Sequence, residues 1–184
     1  GREEEGTVLG RYLDLGVLGM GDMAEVRRVS DVVLKRTLAM RIIHAKKLDD
    51  PEAVRWFIEE ARVGAQLQHP GIVPIYEIGQ LPDGRHYYTM NEVQGTEFTL
   101  SIAAIHRASP EELGEHSPTD TRLLHLVQIL HRVCVTVAYA HARGVFHGDL
   151  TPGNIRVGEF GEVLVVNWGS VAGTSRGPSS DPGT

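Results

Sequence analysis

Apolar and polar positions alternate in short segments through the first ninety residues, which is the pattern of half-buried β-strands. Glycine- or proline-containing turns separate several of these segments. The predicted strands cover residues 9–17, 25–34, 37–43, 72–78 and 86–90. A glycine-rich stretch joins the first two strands, and the first part of the chain therefore predicts an antiparallel sheet of five strands.

A single helix is predicted between the third and fourth strands. Asp50 and Pro51 mark its start, because an acidic N-cap followed by proline at the first helical position favours helix initiation. Apolar residues then repeat at helical spacing, and the helix is expected to end before His69, which precedes a proline. The apolar stripe consists of Val54, Phe57, Ile58, Ala61 and Ala65.

The second half of the chain predicts two more helices. Residues 97–107 predict a short one, and after a polar loop Asp120 is the expected N-cap of a long helix that ends near residue 142. The expected core stripe of the long helix is Leu123, Val127, Leu130, Cys134, Val137 and His141, broadened by Leu124, Leu126 and Val133. Cys134 is accordingly predicted to be a small core residue rather than a reactive thiol.

A tight hairpin, residues 155–157 and 163–166, is predicted after the long helix. The last dozen residues are rich in glycine, serine and proline and predict a mobile loop. The patterns together predict an α+β fold in three parts. These are the sheet with its helix in residues 1–93, a mainly helical part in 94–170, and a flexible end in 171–184.

Composition narrows the classes of partner. The net charge of −6 argues against a nucleic acid or an anionic membrane as the main partner. A single cysteine excludes an internal disulfide and favours a reducing compartment, so a cytoplasmic location is expected. No uninterrupted apolar run approaches the ~20 residues of a membrane span, and no signal peptide opens the chain.

The histidines form no HExxH motif and no i,i+4 pair, so no zinc site is expected. Because the first residue is Gly1 rather than Met, the chain is expected to be a piece of a longer protein.

The glycine-rich stretch at residues 19–26 fits the pattern G-x-G-x-x-[GA]-x-V. Such a pattern alone also fits an ordinary turn between strands. A dinucleotide-binding loop would lie between a strand and a helix, whereas this one lies between two strands, and the absence of G-K-[ST] excludes a P-loop. A glycine loop that closes a hairpin can cover phosphates and offer main-chain N–H groups, as in protein kinases.

Further motifs follow in an order that resembles the Ser/Thr protein kinases, most closely the eukaryotic-like kinases of bacteria. The resemblance extends from Leu13 to Ser170. It implies a protein-kinase-like fold with an N-terminal lobe to residue 93 and the first part of a C-terminal lobe. The motifs are residues 38–41 at the V-A-x-K position, 57–61 in the helix that carries the ion-pairing glutamate, 69–73 before strand four, 89–93 at the hinge, 147–154 at H-R-D-L-K-P-x-N and 167–169 at D-F-G.

The resemblance assigns roles to individual residues. The candidate nucleotide-binding residues are Gly19, Gly21, Val26, Ala39, Arg41, Glu60, Met90, Asn91 and Val93. Helical spacing does not separate Glu60 from Glu59, so Glu60 is chosen as the partner of Arg41 on the resemblance alone. The candidate catalytic residues are Asp149 as base, Thr151 and Asn154, and the magnesium candidates are Asn154 and Asn167. ATP and Mg²⁺ are the implied cofactors.

Four positions depart from the family pattern. Arg41 replaces the lysine that would reach the phosphates, which exchanges a compact ammonium for a planar fork. Asn167 replaces the aspartate that ligates magnesium, and a neutral amide oxygen is a poorer ligand for a hard cation. Gly148 removes the arginine that receives a phosphorylated activation loop, and Thr151 replaces the lysine that contacts the γ-phosphate. Binding of both ATP and magnesium is therefore expected to be weakened. The retained Asp149 and Asn154 either keep their catalytic roles or serve as structural hydrogen-bonding groups.

Three functions remain open from the sequence. The first is a pseudokinase that acts through nucleotide or protein binding, with weak or no phosphoryl transfer. The second is an active kinase with Asp149 as base and Asn154 as main metal ligand. The third is an interaction module without nucleotide. A protein or peptide partner is expected. Because the chain contains no motif beyond D-F-G, a missing C-lobe segment or another chain is expected to cover the apolar face of the long helix.

Overall fold

The computed structural model of this protein describes residues 8–107 and 121–168. The expected N-cap Asp120, the last glycine of the D-F-G-like motif, Gly169, and the expected flexible end at 171–184 lie outside the described residues. Within the described residues the chain forms two units that meet at a cleft.

The first unit contains a sheet and one helix. In chain order its elements are β1 (Val8–Leu9), β2 (Tyr12–Met20), β3 (Ala24–Asp31), β4 (Arg36–Ile43), α1 (Pro51–Gln66), β5 (Ile75–Gln80) and β6 (His86–Met90). The strands pair antiparallel in the order β1-β2-β3-β4-β6-β5. The predicted antiparallel sheet is confirmed, and the two-residue β1 extends it at one edge.

The glycine-rich segment differs from expectation because most of it belongs to a strand. A turn at residues 10–11 interrupts the first predicted strand, and β2 then continues to Met20. Gly19 lies opposite Val26 in the β2–β3 ladder, and register shifts occur between residues 14 and 19. Such irregularities increase the local twist of a strand. The connecting turn is reduced to residues 21–23, so paired strands hold this hairpin over the cleft.

Helix α1 begins where the sequence predicts. The Asp50 carboxylate accepts hydrogen bonds from the main-chain N–H groups of Glu52 and Ala53, at 3.0 and 3.2 Å, which satisfies two of the unpaired donors of the first turn. Its buried residues are Ala53, Phe57, Ala61 and Gly64. Ala65, predicted in the stripe, is exposed. Gly64 is buried because β5 approaches closely there; a Cβ atom would lie 2.6 Å from Ile75 Cδ1.

Strand β4 is covered on both faces of the sheet. Leu38, Met40 and Ile42 pack in one cluster, whereas Ile43 packs with Phe57 of α1 in another. Because successive side chains of a strand point to opposite faces, Arg41 lies on the same face as Ile43. This alternation directs Arg41 towards α1 and the cleft.

The second unit combines two helices with a small sheet. Its elements are β7 (Thr96–Glu97), α2 (Phe98–Arg107), α3 (Thr121–His141), β8 (Ile155–Val157) and β9 (Val163–Val165). The strands pair in the order β7-β8-β9, as the predicted hairpin requires. The main-chain N–H of Val165 donates to the carbonyl of Gly71 at 2.8 Å, and this bond joins the second unit to the segment before β5.

The buried side of α3 agrees only in part with the prediction, since Val133 of the predicted stripe is buried and the predicted Leu126 and Val137 pack against the core. Three residues of the expected stripe, Leu123, Val127 and Leu130, are more than half exposed. The core contacts are made by Ile129, Val133 and Ala140, which are at most 2 % exposed. Cys134 is exposed, so its prediction as a core residue is wrong. Apolar residues occupy most of the circumference of this helix, so spacing permits more than one core face and packing selects among them.

The same helix bears on the expectation that the chain has no membrane span. Residues Arg122–His141 are long and apolar enough to cross a membrane by length and composition, with a mean hydropathy of 1.5. Core helices of water-soluble proteins meet the same criterion. Three of its residues, Ile129, Val133 and Ala140, belong to a buried core cluster. The length and hydropathy of this helix therefore do not by themselves indicate a membrane span.

Candidate functional site

A cleft of about 730 Å³ separates the two units and contains most of the predicted site. The predicted residues that line it are Gly19, Gly21, Val26, Arg41, Glu60, Met90, Val93, Asp149 and Asn167. The predicted residues that do not line it are Ala39, Asn91, Thr151 and Asn154. The volume lies in the range of sites for small molecules and cofactors.

The glycine hairpin forms one wall of the cleft. Its turn is closed by a hydrogen bond of 3.0 Å from the Gly21 N–H to the Ala24 carbonyl. His44, just after β4, holds the turn in place. Its Nε2 lies 2.8 Å from the Gly21 carbonyl oxygen, and its main-chain N–H donates to the Met23 carbonyl. The sequence did not indicate this anchor, which depends on the approach of the end of β4.

Arg41 is engaged by two partners at the back of the cleft. Its Nη1 donates to Glu60 Oε1 of α1 and, at 2.8 Å, to the Tyr88 hydroxyl of β6. The Tyr88 hydroxyl also donates to Glu60 Oε1 at 3.3 Å. Glu59 instead accepts from Arg62 on the exposed side of α1. Glu60 is thus the partner of Arg41, and Tyr88 is a residue that sequence reasoning missed.

The environment of this group favours a charged arginine and a neutral tyrosine. Burial raises the pKa of Tyr88, and the Glu60 carboxylate adds to this effect, whereas Arg41 opposes it. Burial works against the charged form of Arg41, yet Tyr88 and Glu60 outweigh it and hold the pKa of Arg41 above its ordinary value. Arg41 is therefore a charged guanidinium that forms an ion pair with Glu60.

The hinge segment after β6 forms the edge of the cleft between the two units. Met90 pairs in register with the buried Ala39 of β4. The Asn91 N–H donates to the Pro74 carbonyl at 3.4 Å. Within the described residues the main-chain N–H of Val93 has no hydrogen-bond partner, which leaves a donor at the cleft edge.

An ion pair links the hinge to the glycine hairpin. Arg28 of β3 makes a two-pronged contact with the Glu92 carboxylate, with Nε donating to Oε2 at 2.8 Å. The hydrogen bonds from Arg28 are the main cause that lowers the pKa of Glu92. The arginine is about half exposed, and exposed pairs of this kind contribute little to stability. The pair restricts the hairpin relative to the hinge.

The loop before the second hairpin is held by His147. Its ring is 2 % exposed, its Nε2 lies 2.8 Å from the Val166 carbonyl, and its Nδ1 accepts from the Asp149 N–H at 3.3 Å. Gly148 has a φ of 78°, a left-handed conformation that glycine adopts without strain and arginine does not. The departure at Gly148 thus fits the local backbone as well as removing a charge.

Asp149, Asn154 and Asn167 form one hydrogen-bonded chain. Asn154 Nδ2 donates to the Asp149 carbonyl at 2.8 Å and lies 3.3 Å from Asp149 Oδ2. Asn167 Nδ2 donates to Asn154 Oδ1 at 2.7 Å. The orientation of Asn154 follows from its neighbours, because a carbonyl oxygen only accepts and must face the Asn154 NH₂ group. The Asn154 oxygen is therefore turned to Asn167.

These residues do not fit a magnesium ion. Magnesium prefers carboxylate oxygens in octahedral geometry, whereas the neighbouring group here is a pair of amides that bond to each other. In the part of the chain that the structure describes, no cluster of three or more His, Cys, Asp or Glu side chains is placed to hold a metal. Asp149 is the single carboxylate in the chain of three residues. Thr151 is exposed at the start of the loop and is an uncharged residue.

Two further cleft residues were not predicted. Arg156 of β8 lines the cleft on the side of the second unit and forms an ion pair of 3.2 Å with Glu97. Trp168, at the centre of the D-F-G-like motif, is 6 % exposed and donates from Nε1 to the Val165 carbonyl at 2.8 Å. Arg156 was detectable as a charged residue between the apolar Ile155 and Val157, directly after the catalytic-loop motif.

The fold and the cleft define a protein-kinase-like domain. An antiparallel sheet carries a glycine hairpin, and one helix supplies a glutamate to a basic residue of a central strand. Asp149 lines the cleft from the catalytic-loop segment, and Asn154 is hydrogen-bonded to it. This set of parts is the arrangement that positions phosphates in protein kinases.

Comparisons with known proteins agree with this class. The protein kinase domain model matches residues 12–182, so the chain belongs to the protein kinase family. It is 36 % identical over 160 residues to the serine/threonine-protein kinase PknD of Chlamydia pneumoniae and 36 % identical over 171 residues to PknD of Protochlamydia amoebophila. These matches cover 87 and 92 % of the chain but 17 % of each relative.

Solved structures support the fold alone. The kinase domain of Mycobacterium tuberculosis PknI matches with a TM-score of 0.66 and 24 % identity, covering 91 % of this chain and 63 % of that one. A double mutant of the same domain gives a TM-score of 0.69, with 95 and 66 % covered. The predicted relationship to bacterial eukaryotic-like Ser/Thr kinases is confirmed.

Proposed function

We propose that this domain is a pseudokinase, which transfers phosphoryl groups weakly or not at all and acts through the binding of nucleotide, protein or both. The observation that carries the proposal is the hydrogen bond from Asn167 Nδ2 to Asn154 Oδ1. It joins the two candidate metal ligands to each other instead of presenting two oxygens to a cation.

The engagement of Arg41 supports the same proposal. The pair with Glu60 keeps α1 docked against the sheet. The Tyr88 hydroxyl is a second partner of the guanidinium, and the planar fork of an arginine does not reproduce the contact of a compact ammonium with phosphates. Removing one preorganised electrostatic group typically lowers a catalytic rate by about 10²–10³-fold. Losses at two sites do not simply multiply, but each removes a different part of the phosphoryl-transfer machinery.

The test is a phosphoryl-transfer assay on the full-length natural protein with Mg²⁺, labelled ATP and a generic protein substrate. Asp149→Ala is the matched control, since it removes the candidate base. We expect no transfer above the level of this control. Robust transfer that Asp149→Ala abolishes would overturn the proposal.

An active Ser/Thr kinase of unusual chemistry is the second candidate. Asp149 lines the cleft, and Asn154 Nδ2 holds its carboxylate side chain in place. In this candidate Asp149 accepts the proton of the substrate hydroxyl and Asn154 is the main metal ligand. The control in the assay above separates the two candidates.

An interaction module without nucleotide is the third candidate. The apolar residues on the exposed side of α3, among them Leu123, Val127 and Leu130, form a surface suited to a protein or peptide partner or to a further C-lobe segment. Saturable stabilisation by an adenine compound in a thermal-shift assay would count against it. No partner of nucleic-acid type is proposed, and the cytoplasmic location stays a prediction.

A further inference from the structure

A network of alternating charges lies on the face of the first sheet that points away from the cleft, here called the outer face. Its members come from β2, β3 and the turn before β6, and each forms an ion pair with the next: Asp83, Arg85, Glu25, Arg27 and Asp14. The four contacts measure 2.7, 3.0, 3.0 and 2.8 Å in that order. The three inner side chains are at most 24 % exposed, so solvent screens these pairs less than it screens pairs at the open surface.

Glu25 links this network to the glycine hairpin. It precedes Val26, which lines the cleft, and because successive side chains of a strand point to opposite faces, Glu25 lies on the outer face. Its two carboxylate oxygens accept from different arginines, Oε1 from Arg85 Nη1 and Oε2 from Arg27 Nη1. Any movement of the hairpin that displaces Val26 therefore stretches both contacts.

Arg85 reaches the hairpin from the other side of β4. Glu25 and Tyr87 are both paired with Ile42 of β4, one from each neighbouring strand. Because Arg85 lies two residues before Tyr87, its side chain crosses the outer face of β4 to meet Glu25. Asp83 orients the arginine by accepting hydrogen bonds from its main-chain N–H and its Nε, at 3.0 and 2.7 Å. The contact thus joins β3 to the segment before β6, although β3 and β6 are not neighbours in the sheet.

The other end of the network holds an irregular part of β2. Asp14 Oδ2 accepts from Arg27 Nε, while its Oδ1 accepts from the Gly16 main-chain N–H at 2.9 Å. Gly16 has a φ of 119° and lies at one of the register shifts between β2 and β3, where such irregularities bend a strand. Beyond Leu13, β2 pairs only with β3 within the described residues. The direction of this hairpin therefore depends on side-chain contacts as well as on the ladder.

We propose that Arg85 is a positioning residue, which acts through Glu25 from the outer face of the sheet to hold the glycine hairpin over the cleft in the free protein. A hairpin held in this way is prepared for binding, because less conformational freedom remains to be lost when a ligand enters. The proposal is independent of the proposed lack of phosphoryl transfer, since it concerns the domain without a ligand.

Hydrogen–deuterium exchange of the free full chain, measured by mass spectrometry, tests this role. Arg85→Met removes the charge and keeps an unbranched side chain, and we expect exchange in residues 17–26 to accelerate by about fivefold or more, with exchange in α1 unchanged. Arg85→Lys keeps the charge and should accelerate exchange less than Arg85→Met does. Arg62→Met is the matched control, because it breaks an exposed ion pair with Glu59 on α1 and should leave the hairpin unchanged.

A second variant shows whether the effect passes through the contact between Arg85 and Glu25. Glu25→Gln keeps the shape of the side chain and removes its charge, so it should accelerate exchange in the hairpin at least as much as Arg85→Met. In the double variant the acceleration should stay below the product of the two single effects, since the second change finds the contact already broken.

Three results would overturn the proposal. The first is exchange in residues 17–26 that Arg85→Met leaves unchanged, or that Arg85→Lys accelerates equally. The second is a double variant whose acceleration equals the product of the single effects, because this means that the two side chains act independently. The third is equal acceleration in every segment of the chain, which indicates a general loss of stability rather than release of the hairpin.

Discussion

The hydroxyl group of Tyr88 provides a direct test of how Arg41 is held. Tyr88 is 4 % exposed, accepts from Arg41 Nη1 at 2.8 Å and donates to Glu60 Oε1 at 3.3 Å. Tyr88→Phe removes these two bonds and keeps the ring, whose centroid lies 5.3 Å from that of Phe57. The partly buried ion pair of Arg41 and Glu60 then has one partner fewer.

The expected loss of stability follows from the burial of Tyr88 and the charge of its two partners. Hydrogen bonds to charged groups contribute about 1.5–3 kcal/mol, so Tyr88→Phe should lower the free energy of unfolding by about 2 kcal/mol. For a chain of this size that corresponds to a fall in Tm of roughly 4–8 °C. Arg41 and Glu60 retain each other, which keeps the effect below that of removing either charge.

Urea unfolding followed by tryptophan fluorescence measures this change, since Trp168 is buried in the second unit. The midpoint should fall while the m-value stays constant. Tyr76→Phe is the matched control, because Tyr76 is 44 % exposed and its ring, not its hydroxyl, contacts Arg36. It should change stability by less than about 0.5 kcal/mol. Equal effects of the two variants would refute the bridging role of Tyr88.

Three further predictions concern stability. Asp50→Ala should cost about 1 kcal/mol in urea unfolding, because two N-terminal donors of α1 lose their acceptor. Gly95→Ala should cost about 3 kcal/mol or more, since Gly95 has a φ of 111° and a Cβ would lie 2.4 Å from the Val157 carbonyl oxygen. Its control, Gly84→Ala, has a positive φ but open space and should cost only about 1–2 kcal/mol. Burial and a neighbouring carboxylate raise the pKa of Tyr87 from 10.0 to about 12. The unfolded chain therefore loses this proton first, and stability should fall as the pH rises from 10 to 12 in an alkaline unfolding series, an effect that Tyr87→Phe should reduce.

The proposed lack of phosphoryl transfer and the retention of the fold have separate physical origins. The contact between Arg41 and Glu60 docks α1 on the sheet, and this structural role needs any cation that can reach the glutamate. The phosphate contact needs a compact ammonium, whose geometry the planar fork of an arginine does not reproduce. A lysine-to-arginine exchange can therefore preserve the fold while it alters the chemistry.

Local features of the chain were predictable from the sequence. The Asp50 cap, the strand alternation around Arg41 and the order of the motifs depend on residues close together in the chain, and the structure agrees with each. The departures at Gly148 and Asn167 were also visible there, because they are changes of residue type within motifs of fixed spacing. The class of fold follows from this local information.

Contacts between distant segments were not predictable in the same way. Helix α3 carries apolar residues around most of its circumference, and its packing in the second unit buries Ile129 and Val133 while Cys134 stays exposed. The partner of Asn167 and the entry of Arg156 into the cleft depend on where β8 and the catalytic loop meet. The sequence thus determined which chemical groups the site contains, and the tertiary structure decided which of them neutralise one another, because pairing depends on distances across the fold.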